Sequence, residues 1–247
     1  MAKYIISFDV GITHMSWCAM DLTPIDDEGH FLFEIRDWAI VNLRTGVIQR
    51  NPRKCVKCSK YAIDITPERL PTEFCKRHYK GDSKVIWASG SEVVPVWPQT
   101  QDQRLPLIRV LVHVLSLGPA YGDKASTIIL IEDQQKFSKA VTCLADAIAT
   151  YYVIRGIEDI RYCAARVKDG VYTGGGDDLG IYSGRKEKMV AICNWLLSGK
   201  CDKFQPIGET TVWQEGIWDM VEDGRRHDLA DSMLQCLSYE SKNQANS

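Results

Sequence analysis

Apolar and polar residues follow a strand pattern in the first part of the chain. Residues 3–10 and 15–22 are apolar runs rich in β-forming side chains and separated by a turn, and residues 31–43 form a third run of the same kind. Such runs, bounded by turn residues, are typical of β-strands. Because only short connections separate the three, they predict an antiparallel meander.

The second half of the chain alternates predicted helices with predicted strands. Helical spacing of apolar residues predicts helices over 101–117, 138–155, 184–197 and 226–239. The run STIILIE at 126–132 is continuously apolar, as buried central strands are, and 160–164 is a further predicted strand. This alternation is typical of an α/β fold. We expect the polar residues 242–247 to form a disordered tail.

The composition is that of an ordinary globular chain. Of 247 residues, 45% are hydrophobic and 25% are charged, and the formal net charge is -2. These values support one sizeable core and exclude wholesale disorder. No apolar run approaches the ~18–20 residues that a membrane span needs, and the first residues do not resemble a signal peptide. We therefore expect an intracellular protein with no membrane partner and no disulfide framework.

Residues 51–98 break the pattern, because periodicity disappears and proline, cysteine and lysine become frequent. We interpret them as an insertion into a core formed by residues 1–50 and 99–241. The insertion contains Cys55-x-x-Cys58 and Cys75-x-x-His78, which together offer four N/S donors to one tetrahedral, structural Zn²⁺. Metal binding would supply on the order of 10 kcal/mol to a segment that is poor in apolar residues. The alternative is a set of unrelated surface cysteines with a chance histidine.

The insertion is also the most basic part of the chain. Between Arg50 and Lys80 there are nine Lys/Arg against three Asp/Glu. A local positive excess can hold phosphate even in a slightly acidic protein. Lys57 and Arg77, which lie inside the two Cys/His pairs, are therefore candidates for contacts with DNA. The alternative is a solvated basic loop.

Four carboxylates occur where a cation site would need them. Asp9 ends the apolar run YIISFD, Glu132 ends STIILIE, and Asp228 and Asp231 share one face of the last predicted helix. If the first strand and the strand that ends at Glu132 are neighbours in one sheet, all four acids can converge at one edge. Buried carboxylates need partners, and two Mg²⁺ or Mn²⁺ ions would both pair them and hydrolyse a phosphodiester. A helix cap, a solvated strand end or a salt bridge would explain each acid alone.

These motifs resemble those of the RuvC-type Holliday junction resolvases, and most closely the branch found in poxviruses and related large DNA viruses. The shared features are Asp-x-Gly after the first strand, Ile-Glu-x-Gln at the end of a later strand and Asp-x-x-Asp on the last helix. Here they begin at Asp9, Ile131 and Asp228. The resemblance implies an RNase H-like α/β fold with a mixed central sheet, three antiparallel strands first, and helices on both faces. The compact bacterial enzymes lack the Cys/His insertion.

The resemblance also implies an activity. Family members are homodimers that bind four-way DNA junctions and make paired, symmetric nicks, and the viral branch would act in a cytoplasmic viral factory or the nucleus. The metal-binding acids of the family, which hold two Mg²⁺ or Mn²⁺ ions, match Asp9, Glu132, Asp228 and Asp231. The basic segment that binds DNA and brings a lysine to the scissile phosphate matches Arg185, Lys186 and Lys188, with Lys186 or Lys188 as the catalytic cation. Exposed lysines at a helix start are the alternative.

Two histidines lie beside these acids in the sequence. His227 either hydrogen-bonds a water or phosphate at the site or faces solvent in the first turn of its helix, and the sequence favours solvent. His14 follows Asp9 in the turn after the first strand, and we interpret it as incidental.

Three other functions compete with junction resolution. The motif Asp9-x-Gly11-x-Thr13 also matches the phosphate turn of actin, heat-shock-chaperone and sugar-kinase ATPases. Those proteins need a second such turn, and Asp178-x-Gly180, in a glycine-rich loop, is a poor candidate for it. The second alternative is an RNase H-like nuclease that acts on a flap, a duplex or an RNA–DNA hybrid. The third is an inactive nucleic-acid-binding module.

Overall fold

The computed structural model describes residues 3–50, 64–65, 70–71, 85–86, 91–93, 104–117, 124–133, 138–164, 184–207, 218, 221 and 223–244. The strands are β1 (Lys3–Val10), β2 (His14–Pro24), β3 (Phe31–Asn42), β4 (Val47–Arg50), β5 (Asp64–Ile65), β6 (Leu70–Pro71), β7 (Val85–Ile86), β8 (Ser91–Val93), β9 (Thr127–Asp133), β10 (Asp159–Ala164) and β11 (Phe204–Pro206). The helices are α1 (Arg104–Leu117), α2 (Lys139–Ile154), α3 (Arg185–Leu197) and α4 (Arg226–Gln244), with short 3₁₀ turns at Lys124–Ser126 and Asp223–Arg225.

The central sheet is mixed, as expected. Its strands follow the order β10-β9-β1-β2-β3-β4-β8, and β11 pairs with β3. The first strands β1, β2 and β3 are antiparallel, whereas β9 runs parallel to β1 and β10 runs parallel to β9. A smaller sheet has the order β6-β5-β7. The antiparallel meander and the α/β class predicted from the sequence are confirmed.

Helices cover both faces of the central sheet. Side chains alternate between the faces of a strand, and successive residues of β1 accordingly belong to two separate cores. Ile6 and Phe8 pack in a core that includes residues of α1 and α2. Ile5, on the opposite face, packs in a core that includes residues of α3 and α4. The face with α3 and α4 is the one that carries the candidate site.

Three strands of the central sheet were not predicted. β4, β8 and β11 have three or four residues each, which is too short for an alternating pattern to be recognised. β8 lies within the predicted insertion, yet it pairs with β4 and extends the central sheet. β11 pairs in parallel with β3.

The last helix is longer than predicted. α4 continues to Gln244, past the predicted end at residue 239 and into the predicted tail, so residues 242–244 are helical. Its later turns are attached to the sheet, because Lys3 Nζ lies 2.9 Å from a carboxylate oxygen of Glu240 and the Arg161 guanidinium lies 5.2 Å from the ring centroid of Tyr239. These contacts join the end of the helix to β1 and β10.

Several sequence predictions lie outside the described residues. They are the zinc ligands Cys55, Cys58, Cys75 and His78, the basic residues Lys57 and Arg77, and the second glycine turn at 178–180. The cysteines within the described ranges are free thiols. None of the helices described is both long enough and apolar enough to span a membrane.

Candidate active site

The sheet places Asp9 and Glu132 side by side. The parallel register of β1 and β9 pairs Phe8 with Ile131, so that Asp9 and Glu132 follow next to each other. Both acids continue the series of side chains on the face of α3 and α4, because Ile5 and Leu130, at even spacings from them, belong to that core. Glu132 is only 6% exposed. The condition under which the acids could converge, that the two acid-bearing strands are neighbours, is met.

The first turn of α4 lies over the same end of the sheet. Asp9 pairs across the β1–β2 hairpin with Ser16. The Ser16 hydroxyl donates a hydrogen bond to the backbone carbonyl of Asp228, with 2.5 Å between the oxygens. One turn later, the Ser7 hydroxyl of β1 donates to the carbonyl of Ser232. The helix therefore crosses β1 and β2 with Asp228 at the Asp9 end.

The carboxyl group of Asp228 lies in a crowded electrostatic environment. Burial raises its pKa, and the negative charge of Asp9 raises it further. Three basic side chains oppose these effects. His227 Nε2 lies 2.7 Å from Oδ1, Arg225 Nη1 lies 3.5 Å from Oδ2, and His14 acts through its charge. Because the net shift is upward, ionised Asp228 is held at some electrostatic cost.

Asp231 lies one turn further along α4, towards α3. It is partly exposed, and its charge adds to burial in raising the pKa of the Cys193 thiol on α3. The same thiol donates to the carbonyl of Ala230, at 3.6 Å. The structure thus brings Asp9, Glu132 and Asp228 to one end of the sheet and places Asp231 at the contact between the two helices.

The four predicted acids do not form a closed cage. Among the described residues, the side chains whose ligand atoms all lie within 4.8 Å of one another are Asp26, Glu28 and His30, in the turn between β2 and β3. No three of the predicted acids are that close together.

The Asp26 group was not singled out from the sequence, and its contacts are those of a turn. Asp26 accepts hydrogen bonds from the backbone amides of Glu28 and His30, and the His30 ring Nδ1 lies 2.7 Å from its second oxygen. These bonds lower the pKa of the exposed Asp26 carboxyl. They account for the cluster without a cation.

The basic segment forms the start of α3. Arg185, Lys186 and Lys188 are exposed in its first turn, which begins after the extended residue Gly184. Cations at a helix N-terminus oppose the helix dipole, whereas anions are favoured there. The three cations outnumber the one acid of the same turn, Glu187, and this excess at a helix N-terminus suits a phosphate ligand.

The two histidines differ from expectation. The His227 side chain is 12% exposed and contacts Asp228, so the interpretation that it faces solvent is wrong. His14, interpreted as incidental, lies close enough to Asp228 to lower its pKa.

Two site residues were not identified from the sequence: Arg225, which contacts the Asp228 carboxylate, and Ser16. Ser16 is fully buried within a strand whose other inward residues are apolar. A small polar residue inside such a strand is the signal that could have identified it, because a buried hydroxyl needs a hydrogen-bond partner.

Comparisons with known proteins find a distant structural likeness. No protein-family model matches the chain, and no curated protein sequence matches it. Among solved structures, RuvC of Thermus thermophilus is similar over 99% of this chain and 98% of its own, with 12% sequence identity and a TM-score of 0.40. A likeness this distant supports no functional assignment by itself.

Proposed function

We propose that the chain is a Mg²⁺- or Mn²⁺-dependent endonuclease with an RNase H-like fold. The observation that carries this proposal is the arrangement of Asp9, Glu132 and Asp228. Two come from adjacent parallel strands on one sheet face, and the third comes from the helix that crosses the same end. The raised pKa of Asp228 is typical of carboxylates gathered for function rather than for stability.

The topology supports the same proposal. The order β3-β2-β1-β9-β10 combines an antiparallel meander with two parallel strands, and helices lie on both faces. This is the arrangement that the motif resemblance implies for an RNase H-like protein. In that arrangement the acids of the first strand, a later strand and the last helix belong to one site.

The donor set fits hard divalent cations. Carboxylate oxygens are the ligands that Mg²⁺ and Mn²⁺ prefer, and Asp9, Glu132, Asp228 and Asp231 would hold them. When bound, such ions supply an activated water and neutralise charge on the phosphodiester. The repulsion between Asp9 and Asp228 that raises the Asp228 pKa would become an attraction for a shared cation.

The protein's own side chains have defined tasks in this reaction. His227, at 2.7 Å, fixes the orientation of the Asp228 carboxylate. Ser16 fixes the backbone of the same residue. Lys186 and Lys188, exposed at the start of α3, would contact the DNA phosphates with Arg185, and one of the two lysines would stabilise the charge that develops on the scissile phosphate.

We further propose four-way DNA junctions as the substrate and a homodimer as the active form, with one structural Zn²⁺ in the insertion. The substrate and dimer rest on the motif resemblance, and the zinc rests on the spacing of Cys55, Cys58, Cys75 and His78. In this proposal Lys57 and Arg77 of the basic insertion extend the DNA-binding surface.

The test is cleavage of a labelled synthetic four-way junction in Mg²⁺. A matched duplex, a flap and an RNA–DNA hybrid are assayed beside it, and Asp9→Asn is the inactive control. Paired, symmetric nicks in the junction alone, lost in the variant, would support a resolvase. Preferential cleavage of another substrate would still support a nuclease, with that substrate in place of the junction. Binding without cleavage of any substrate would indicate an inactive module, and ATP hydrolysis would then be assayed.

A further inference from the structure

Four side chains from four different elements donate to backbone carbonyls near the start of α4. The acceptors are the carbonyls of three consecutive residues and of one residue a turn later. The donor and acceptor pairs are Ser16 of β2 with Asp228 at 2.5 Å, Trp38 of β3 with Leu229 at 3.0 Å, Cys193 of α3 with Ala230 at 3.6 Å, and Ser7 of β1 with Ser232. Helical carbonyls already accept bonds from amides four residues on, so these additional donors fix where the helix lies on the sheet.

Ser16 differs from the other donors in what it holds. Its acceptor is the backbone carbonyl of Asp228, one of the acids of the candidate site. Ser16 is also the residue that pairs across the hairpin with Asp9. The buried Ser16 hydroxyl therefore connects the residue that pairs with Asp9 to the backbone of Asp228.

The two acids that Ser16 connects repel each other. Both carboxylates belong to the same end of the sheet, and repulsion between like charges favours movement of the start of α4 away from β1. The Ser16 hydrogen bond opposes that movement. Because the carbonyl and the side chain of Asp228 share one Cα, holding the carbonyl restricts where the carboxylate can lie, and ligand positions matter to well below 1 Å in a built site.

We infer that Ser16 is a positioning residue that holds Asp228 at the distance from Asp9 that divalent cations require. The inference rests on the function proposed above and concerns the same site. It predicts that the Ser16 hydroxyl contributes to cation affinity, whereas an equivalent hydroxyl one turn away contributes only to the stability of the fold.

Ser7 provides the matched control. Like Ser16, it is a fully buried serine on a sheet strand, and its hydroxyl donates to a carbonyl of the same helix. Its acceptor belongs to Ser232, which is not among the candidate acids. Both Ser7→Ala and Ser16→Ala therefore remove a serine-to-carbonyl hydrogen bond, but only Ser16→Ala removes one that is made to Asp228.

The experiment measures Mn²⁺ binding by titration calorimetry and the urea midpoint of the full-length chain. Both variants are expected to lower the urea midpoint by similar amounts. Ser16→Ala is expected to weaken Mn²⁺ binding about tenfold, the lower end of what the loss of a partner behind a metal ligand costs, whereas Ser7→Ala keeps the wild-type affinity. Ser16→Cys, which retains a weaker donor of similar size, is expected to give an intermediate affinity and tests the same point if the alanine variant fails to fold.

Two other results would overturn the inference, and they differ in their consequence for the proposed cation site. If Ser16→Ala and Ser7→Ala bind Mn²⁺ equally well, Ser16 has only a structural role and the proposed cation site remains. If the wild-type chain binds no Mn²⁺, or if Asp228→Asn does not weaken that binding, the proposed cation site fails together with the role of Ser16.

Discussion

Asp9, near the end of the first strand, raises the pKa of Asp228, in the first turn of the last helix. The two residues are far apart in the sequence and meet because α4 crosses β1 and β2 at the end where Asp9 pairs with Ser16. Like charges in a partly buried space are unfavourable unless a cation neutralises them. This relationship gives the candidate site its chemistry.

The acids of the candidate site are expected to be essential for cleavage and dispensable for binding. Asp9→Asn and Glu132→Gln should each reduce junction cleavage by about 100-fold or more, since even the loss of a partner behind a metal ligand costs 10–100-fold. Gel-shift affinity in Ca²⁺ should stay near that of the wild type. The matched control is Asp133→Asn, which changes the exposed neighbour of Glu132 and should cut normally. Wild-type cleavage by Asp9→Asn would show that the site is assigned to the wrong residues.

Asp228→Asn is expected to stabilise the metal-free protein at neutral pH. The folded-state pKa of Asp228 is raised, first by burial and then by Asp9, so the folded chain holds this proton more tightly than the unfolded chain does. Ionisation of Asp228 therefore lowers stability once the pH rises through the folded pKa, and asparagine removes that loss.

The gain in melting temperature should be present at pH 7 and should disappear below the ordinary pKa of an aspartate, where Asp228 is protonated in both states. Differential scanning calorimetry in EDTA measures it. Asp27→Asn, at an exposed turn position, should change nothing. A lower melting temperature for Asp228→Asn at pH 7 would mean that the attractions of His227 and Arg225 outweigh burial and the charge of Asp9.

Loss of the lysines at the start of α3 should weaken DNA binding in a salt-dependent way. Each phosphate contact removed by Lys186→Ala or Lys188→Ala should reduce the slope of log affinity against log salt by about 1. The lysine nearer the scissile phosphate should also reduce the cleavage rate about 100-fold. Lys139→Ala changes a lysine in the first turn of α2, on the other face of the sheet, and should leave both values unchanged. If all three variants keep the wild-type slope of log affinity against log salt, α3 is not part of the DNA-binding surface.

The insertion is expected to contain one zinc ion per chain. Replacing Cys55 and Cys58 together by serine should release the metal and lower the melting temperature. The reason is that a metal-binding free energy on the order of 10 kcal/mol would stabilise a segment that is poor in apolar residues. Elemental analysis of the purified protein and calorimetry check both effects. Cys143→Ser, at a partly exposed cysteine of α2, is the control. Unchanged metal content in the double variant would contradict the assignment of these ligands.

Elements with a strong local pattern could be predicted, and elements made by pairing could not. β1, β2, β3 and β9 are long apolar runs, so their positions followed from periodicity. β8 and β11 have three residues each. They are strands through their backbone pairing, β8 with β4 and β11 with β3. The same distinction applies to α4, which continues beyond the apolar pattern to Gln244 and makes an ion pair with Lys3 of β1 through Glu240.

The amino-acid sequence by itself determined which residues are candidates for the chemistry and on which kind of element they lie. Carboxylates at the ends of apolar runs, and two acids three residues apart on a helix, are local features that need no knowledge of the fold. Only the tertiary structure decided that Asp9 and Glu132 lie on adjacent strands, that His227 contacts Asp228, and that Ser16 holds the backbone of that residue. These contacts depend on strand order and on the path of α4 across the sheet, which are set by the packing of residues distant in sequence.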